Sequence, residues 1–234
     1  MIVYAESDEA QGTLDWQRAR LGKITGSKCG DLMVKGRAKD EIFGATAKDY
    51  LYELAGERSL NRAIVESDEM FSGWLSMTKD INSKAIRYGH ENEADARRFF
   101  ADYMEVDVKE VISCPHDTLL NFAASPDGIV VGWDGRPIAV VEIKSVFDKT
   151  FIKYRTEIKT AEDLKKVNST YYWQMQAEMM CTNLPLTYFV VYCPSQKKPM
   201  YIAKIPRVEE DCTLLAERIR LANEYINNLT SDGQ

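Results

Sequence analysis

The 234-residue chain lacks the sequence features of several protein classes. It contains no apolar run near the roughly 20 residues that span a bilayer, and no signal-peptide pattern opens it. Its five cysteines are scattered, with no Cys-x-x-Cys pair, which argues against a disulfide framework, a zinc ribbon or an iron–sulfur cluster. Two histidines argue against a zinc hydrolase or a histidine-based nuclease. We therefore expect a soluble, intracellular protein.

The chain also lacks an excess of positive charge. Its 30 Lys and Arg residues stand against 36 Asp and Glu residues, which gives a net charge of −6. This balance argues modestly against nucleic-acid binding. However, acids that hold a metal ion count toward the total, and DNA contact needs only a local basic surface. The length and a hydrophobic content of 45% predict a single domain over residues 1–234, with an added C-terminal helix at about 209–229.

A β-hairpin is predicted near the middle of the chain. Its arms are 128–133 and 138–146, and the dipeptide Asp134-Gly135 between them favours a two-residue type I′ turn. Such a turn fixes which residues face each other across the hairpin. A one-residue bulge would change the register, and Gly132 or Pro137 could host one.

In the predicted register, Asp127 lies directly opposite Glu142, and Lys144 points to the same face. Like charges opposed on a sheet are destabilising, so this arrangement needs a reason. A hard divalent cation supplies one, because Mg²⁺ prefers oxygen ligands and usually takes one or two carboxylates. The alternative is an ordinary hairpin with a wet, charged face. The apolar run around these charges favours a strand that is covered on both faces: Ile138, Ala139, Val140, Val141, Ile143 and Val146.

The Pro126-Asp127 pair followed by Glu142-Ile143-Lys144 resembles the Pro-Asp…(Asp/Glu)-x-Lys nuclease signature. More narrowly, the chain resembles the lambda-phage exonuclease family of viral recombination nucleases. Four further stretches match that family in order: Arg20 to Ser27 (RLGKITGS), Tyr88 to Glu93 (YGHENE), Asp117, and Tyr171 to Gln176 (YYWQMQ). The resemblance implies an α/β fold with a restriction-endonuclease-like core, in which helices flank a central mixed sheet of about five strands.

The resemblance also implies the catalytic residues. Asp127, Glu142 and the Ile143 carbonyl would hold one Mg²⁺ or Mn²⁺ ion. A second ion would be held by Glu93 with Asp127, and also by Asp117. Lys144 would prepare the attacking water, oriented by Gln174 and Tyr171, which share a helix face with Glu178 at i, i+3 and i+7. From the residues alone, Glu93 could instead be a helix-edge acid paired with Arg97.

DNA contacts follow from the same resemblance. Arg20 and Ser27 match the residues that hold the 5′-phosphate of a DNA end, although Thr25 or Ser27 could simply be a helix N-cap and Arg20 a surface residue. Arg37 and, as an apolar wedge, Ile86 match further DNA contacts of the family. Lys149 and Lys153 belong to the most basic stretch, residues 147–170, which could line the DNA backbone or form a solvated helix face. The family has a phosphate-binding arginine where this chain has Thr150, which is a departure from its pattern.

The function implied is Mg²⁺-dependent 5′-to-3′ digestion of linear double-stranded DNA, leaving 3′ single-stranded tails for a single-strand annealing partner. The family acts as a homotrimer and is encoded by phages or prophages, which places the protein in the cytoplasm of a bacterial host. Two alternatives stay open: an endonuclease of the same superfamily, and a catalytically idle DNA-end-binding protein.

Overall fold

The computed structural model describes residues 2–4, 12–38, 40–78 and 84–231, without the side chains of residues 84–86 and 90. In this part of the chain the strands are β1 Val3–Tyr4, β2 Ile24–Thr25, β3 Asp107–Lys109, β4 Val111–Pro115, β5 Phe122–Ala124, β6 Gly128–Val131, β7 Pro137–Ser145, β8 Leu186–Tyr192 and β9 Met200–Pro206. The helices are α1 Leu14–Arg20, α2 Cys29–Leu32, α3 Ala45–Arg58, α4 Arg62–Glu66, α5 Asp68–Thr78, α6 Lys84–Met104, α7 Asp148–Glu157, α8 Ala161–Val167, α9 Ser169–Thr182 and α10 Glu209–Ser231, and a 3₁₀ turn spans Gly26–Lys28.

The strands form two sheets. A five-stranded sheet has the order β3-β6-β7-β8-β9, in which β7 and β8 are parallel and the other neighbours are antiparallel. This confirms the predicted mixed sheet flanked by helices. A four-stranded sheet with the order β1-β4-β5-β2 was not predicted. Two of its strands are only two residues long, which is too short for a clear alternating pattern. No helix in the described residues is both long and apolar enough to cross a bilayer.

The hairpin of β6 and β7 keeps the predicted register at its open end but not at its turn. Gly128 pairs with Val141 and Val130 with Ala139, which sets Asp127 against Glu142 as predicted. The predicted two-residue turn is wrong. The loop is one residue longer, because Gly132 closes it with a hydrogen bond to the Arg136 carbonyl (2.8 Å), and Gly135 adopts a φ of +77°.

The longer loop alone would shift the pairing by one residue. A bulge between Val130 and Val131 restores it, since Val131 pairs with Pro137 and Val130 pairs with Ala139, leaving Ile138 as the extra residue. A three-residue loop followed by a bulge is a common hairpin connection when glycine is available for the left-handed position. The two departures from the prediction therefore cancel at the site.

Strand β7 is covered on both faces. Ala139, Val141 and Ile143 pack against Ala96 and Phe100 of α6. Val140, on the opposite face, belongs to the main core with residues of α9, a helix in which every residue from 172 to 181 is buried. Alternation along the strand puts Glu142 on the same face as Val140. The polar groups of the hairpin therefore point toward α9, inside an otherwise apolar layer.

Candidate active site

The open end of the hairpin carries two buried carboxylates. Asp127 is 9% exposed and Glu142 is 0% exposed. One oxygen of Asp127, Oδ2, accepts a hydrogen bond from the Ile143 backbone N–H at 2.6 Å. Burial raises the pKa of Asp127 well above its usual range, and the negative charges of Glu142 and Glu93 add to this shift. Two acids at the end of a strand pair are thus held where their charged forms are costly.

Lys144 supplies the opposite charge. Its Nζ lies 2.5 Å from Glu142 Oε1 and 4.8 Å from the centre of the Tyr171 ring. Burial alone would lower the pKa of Lys144, but the carboxylates of Glu142 and Asp127 outweigh it and raise the pKa. The Lys144 amine is therefore a cation when no metal ion is bound to Glu142 and Asp127. In this state it can orient a water molecule or stabilise developing negative charge rather than act as a base.

Helix α9 closes the cluster. The amide nitrogen of Gln174 donates to Glu142 Oε1 at 2.5 Å and to Glu178 Oε1 at 2.9 Å. The structure thus brings Gln174 and Tyr171 together with Lys144 and Glu142, as the resemblance predicted. Glu178 lies on the face that the helical spacing indicated, but sequence analysis gave it no role. Burial raises the pKa of Glu178, and the charge of Glu142 and a hydrogen bond between the two side chains add to the shift.

Glu93 on α6 fits both of its interpretations. It forms the predicted ion pair with Arg97 at 2.8 Å, and Arg97 in turn binds Glu110 at 2.8 Å. At the same time its charge acts on Asp127, which places it beside the buried acids. Glu110 was not singled out from the sequence, and Arg97 was named only as a possible partner of Glu93. Because Arg97 binds both Glu93 and Glu110, it holds the Glu93 carboxylate in position.

The cluster offers hard oxygen ligands for a divalent cation. The second oxygen of Glu142, Oε2, is buried and has no hydrogen-bond partner within the described residues. Asp127 and Glu142 therefore fit the one or two carboxylates that Mg²⁺ usually takes. In the described part of the chain, no three His, Cys, Asp or Glu side chains form a group that could hold an ion by themselves. Asp117 lies in the exposed turn between β4 and β5, where its charge acts on His116.

A cavity of about 700 Å³ brings Arg20 and Ser27 together. Its walls come from α1, the 3₁₀ turn, α3 and α5. The Arg20 guanidinium is partly buried and stacks over the Trp16 ring at 4.3 Å. Ser27 is exposed within the 3₁₀ turn, and Thr25 occupies the N-cap position of that turn, although its side chain makes no capping hydrogen bond. A cation and a hydroxyl at the wall of one cavity suit a phosphate group.

The 3₁₀ turn that lines the cavity packs against α9, the helix that closes the buried cluster. A Cβ atom placed on Gly26, in the 3₁₀ turn, would lie 3.7 Å from the Gln174 carbonyl oxygen, and one on Gly30 would lie 2.8 Å from the Thr170 Cα. Such a close approach requires glycine at position 30. The sequence Gly-Ser-Lys-Cys-Gly is therefore packed directly on the helix that carries Gln174.

The predicted DNA-contacting residues lie on exposed surfaces. Lys149 and Lys153 are exposed one turn apart on α7, and Arg37 is exposed in the loop before α3. The side chain of Ile86 lies outside the described residues. A basic segment that sequence analysis missed is the turn after β8, with Lys197 and Lys198 both exposed.

This turn is fixed to the start of α7. Asp148 accepts hydrogen bonds from Ser195 Oγ at 2.7 Å and Gln196 Nε2 at 2.5 Å. These bonds lower the pKa of Asp148, so its carboxylate stays charged as an anchor. The lysines of the turn and of α7 therefore belong to one region, at the end of the parallel pair β7 and β8.

Comparisons with known proteins add to this geometry. A family model described as a YqaJ-like viral recombinase domain matches residues 15–185. No curated protein sequence matches the chain.

Three solved structures share the fold. An alkaline exonuclease from Laribacter hongkongensis, LHK-Exo, is 26% identical with a TM-score of 0.71, and the match covers 94% of this chain and 95% of that one. Its complex with dAMP matches with the same values. A phage-related exonuclease from Haemophilus somnus 129PT has a TM-score of 0.64 at 15% identity, covering 91% and 96% of the two chains, and it supports the fold alone.

Proposed function

Because the chain belongs to the YqaJ-like viral recombinase family, we propose that it is a metal-dependent exonuclease that digests linear double-stranded DNA from its 5′ ends. The predicted resemblance to the lambda-phage exonuclease family is confirmed by this match and by the alkaline exonuclease neighbours. These relatives support a nuclease function. The observation that carries the finer proposal is the buried pair Asp127 and Glu142 with Lys144 beside it.

The proposed chemistry is hydrolysis of a phosphodiester bond. Asp127, Glu142 and the Ile143 carbonyl would hold one Mg²⁺ or Mn²⁺ ion, and Glu93 with Asp127, and also Asp117, would hold a second. Such ions polarise the phosphate and stabilise the attacking and leaving oxygens. Lys144, held by Glu142 and Tyr171, would orient the attacking water and stabilise the negative charge that develops on the phosphate. Gln174 would keep Glu142 in place through its hydrogen bond.

The proposed 5′ polarity depends on the cavity beside the cluster. Arg20 and Ser27 would bind the terminal 5′-phosphate. Because the turn that carries Ser27 packs on the helix that carries Gln174, the first phosphodiester bond would then lie near the acids. The dAMP in one neighbour's complex is a DNA mononucleotide, which suits a site that handles terminal nucleotides. Lys149, Lys153 and Arg37 would contact the DNA backbone, and Ile86 would separate the strands.

The biological role we propose also follows from the resemblance. Digestion of one strand from each end would leave 3′ single-stranded tails for a single-strand annealing partner. A homotrimer would enclose the duplex, and a phage-encoded enzyme of this kind would act in the cytoplasm of its bacterial host. Light scattering of the purified protein measures the mass of the assembly, and a monomer with full activity would contradict the trimer.

The test is digestion of linear duplex DNA with a covalently closed circle as the control. We expect Mg²⁺-dependent loss of the linear DNA, an intact circle, and no reaction with a chelator. Cutting of the circle would indicate an endonuclease instead. Binding of DNA ends by folded, metal-supplied protein without any digestion would indicate the idle DNA-end-binding protein.

A further inference from the structure

Glu178 lies in the wall of the catalytic cluster, yet the proposed chemistry gives it no role. Its side chain is 1% exposed, on α9 one turn after Gln174. The Gln174 amide nitrogen carries two hydrogens. One is donated to Glu142 Oε1 at 2.5 Å and the other to Glu178 Oε1 at 2.9 Å. Glu178 therefore takes the second hydrogen of the amide that holds the metal-site acid.

Two acceptors fix the orientation of the Gln174 amide. If the amide were flipped by about 180°, its oxygen would face the carboxylate oxygens of Glu142 and Glu178. All of these atoms are hydrogen-bond acceptors, so no hydrogen bond could form. The observed orientation satisfies Glu142 Oε1, which also contacts Lys144 Nζ at 2.5 Å. The remaining oxygen, Glu142 Oε2, is buried and has no hydrogen-bond partner in the described residues. The network thus determines which oxygen of Glu142 is left for a cation.

Fold stability does not account for a glutamate at position 178. One of its own oxygens, Oε2, is also buried and receives no N–H or hydroxyl hydrogen bond in the described residues. The Glu178 side chain also lies within hydrogen-bond reach of the Glu142 carboxyl group, so the site holds two acids in contact. Burying an unpartnered polar atom costs free energy, and an apolar side chain at this place would avoid that cost. Under-satisfied polar groups that are retained beside a catalytic centre point to a role in the chemistry.

We propose that Glu178 is a positioning residue of the nuclease site, which holds the Gln174 amide so that Glu142 presents Oε2 to a divalent cation. The inference rests on the proposed metal-dependent nuclease function and extends it to a residue outside the family's motif. Glu178 acts through Gln174 and Glu142 and need not touch the DNA. Its loss should therefore weaken metal binding without weakening DNA binding.

The test compares Glu178→Leu with Glu178→Gln. A glutamine can accept the same hydrogen bond from Gln174 with its carbonyl oxygen, whereas leucine cannot. We expect Glu178→Leu to need about 10- to 100-fold more Mn²⁺ or Mg²⁺ for half-maximal effect, as is usual when a partner of a metal ligand is removed. Glu178→Gln should keep the wild-type metal dependence. Metal binding is measured without DNA, by the rise in melting temperature as Mn²⁺ is added, and separately by digestion of linear duplex.

Gln176→Leu is the matched control. It also replaces a buried polar residue of α9, but Gln176 bonds to the Pro206 carbonyl and the Val208 N–H, away from the cluster. It should lower the melting temperature and leave the metal dependence unchanged. If Glu178→Leu does not fold, Glu178→Met fills nearly the same volume and makes the same comparison.

Two outcomes overturn the inference while the proposed function stands. One is wild-type metal dependence in Glu178→Leu, which would make Glu178 a structural residue. The other is equal impairment of Glu178→Gln and Glu178→Leu, which would mean that the charge and not the hydrogen bond matters. Wild-type protein with neither a metal-induced rise in melting temperature nor digestion would overturn the proposed function, and this inference with it.

Discussion

The catalytic cluster and the cavity beside it are built in opposite ways. The cluster comes from one hairpin and one helix, its acids are buried, and Lys144 and the Gln174 amide both bind Glu142. The cavity comes from four elements between Gly12 and Thr78, and it is open enough for Ser27 to be exposed. Its cation, Arg20, is held by the Trp16 ring.

This difference indicates a division of work. A buried cluster of acids around one lysine is prepared for chemistry but cannot choose among DNA ends. An open cavity with an arginine and a hydroxyl can distinguish a phosphorylated end. Substitutions in the cluster should lower the rate on every substrate. Substitutions in the cavity should instead reduce the preference between substrates.

The largest expected effect is that of Lys144→Ala. Loss of the cation that contacts Glu142 should lower the rate of digestion by about 10²–10⁴-fold, the usual contribution of a positioned proton-transfer or charge-stabilising group. The loss should be equal for DNA with and without a 5′-phosphate. Rates are measured by release of nucleotides, with circular dichroism to verify folding. A rate near that of the wild type would refute the assignment of the cluster.

Arg20→Ala should have a smaller and selective effect. A hydrogen bond to a charged group contributes about 1.5–3 kcal/mol, so digestion of 5′-phosphorylated ends should fall roughly 10- to 100-fold. Ends with a 5′-hydroxyl should be digested as slowly as by the wild type. Arg136→Ala, at an exposed position of the hairpin loop, is the control. An equal loss on both kinds of end would remove the distinction between the two regions.

The cluster also predicts how stability depends on pH. Burial and the neighbouring acids raise the pKa of Asp127, so folding favours the protonated form of the Asp127 carboxyl group. The contribution of this group to the free energy of unfolding is fully present below the ordinary carboxyl pKa of about 4 and is lost as the pH rises through the raised pKa. Metal-free protein should therefore lose stability toward alkaline pH.

Asp127→Asn should abolish digestion yet flatten that pH dependence, because asparagine does not titrate. At alkaline pH without metal its melting temperature should exceed that of the wild type by about 2–4 °C for each kcal/mol gained. Asp134→Asn, in the exposed loop, is the control. Identical pH profiles for Asp127→Asn and the wild type would show that the buried acid carries no such cost.

The smallest expected effect lies on the surface outside both regions. The turn with Lys197 and Lys198 is anchored to Asp148 beside the lysines of α7. If both lysines contact phosphates, replacing them with alanine should make the slope of log affinity against log salt about two units shallower. Lys166→Ala with Lys204→Ala is the matched control, since both lysines are exposed elsewhere. An unchanged slope would exclude this turn from the DNA surface.

The sequence predicted the cluster more fully than the cavity, for a physical reason. The pairing of Asp127 with Glu142 depends on the period of a strand and on one turn, which are local properties. Even there, the turn itself was mispredicted, because a Gly135 that can adopt positive φ allows a longer loop as well as a type I′ turn. The bulge that restores the register lies at Ile138, next to Pro137, one of the two residues that could host a bulge from the sequence.

The cavity and the partners of the cluster depend on contacts between distant segments. The approach of Arg20 to Trp16 was accessible from helical spacing, but the wall from α5 was not, since that contact is tertiary. The Arg97–Glu110 pair joins a helix to the start of a strand, and no pattern in either segment indicates it. Glu178 is an intermediate case, because its helical face was predictable, whereas its hydrogen bond to Gln174 required the structure.

The measurement that tests the account most directly is digestion of a linear duplex with a 5′-phosphate on one strand only, with each strand carrying a different label. With Mg²⁺, the wild type should remove the phosphorylated strand first, Arg20→Ala should remove both strands slowly and without preference, and Lys144→Ala should remove neither. Equal removal of both strands by the wild type, or a strand preference that persists in Arg20→Ala, would contradict the division between a chemical cluster and an end-recognising cavity.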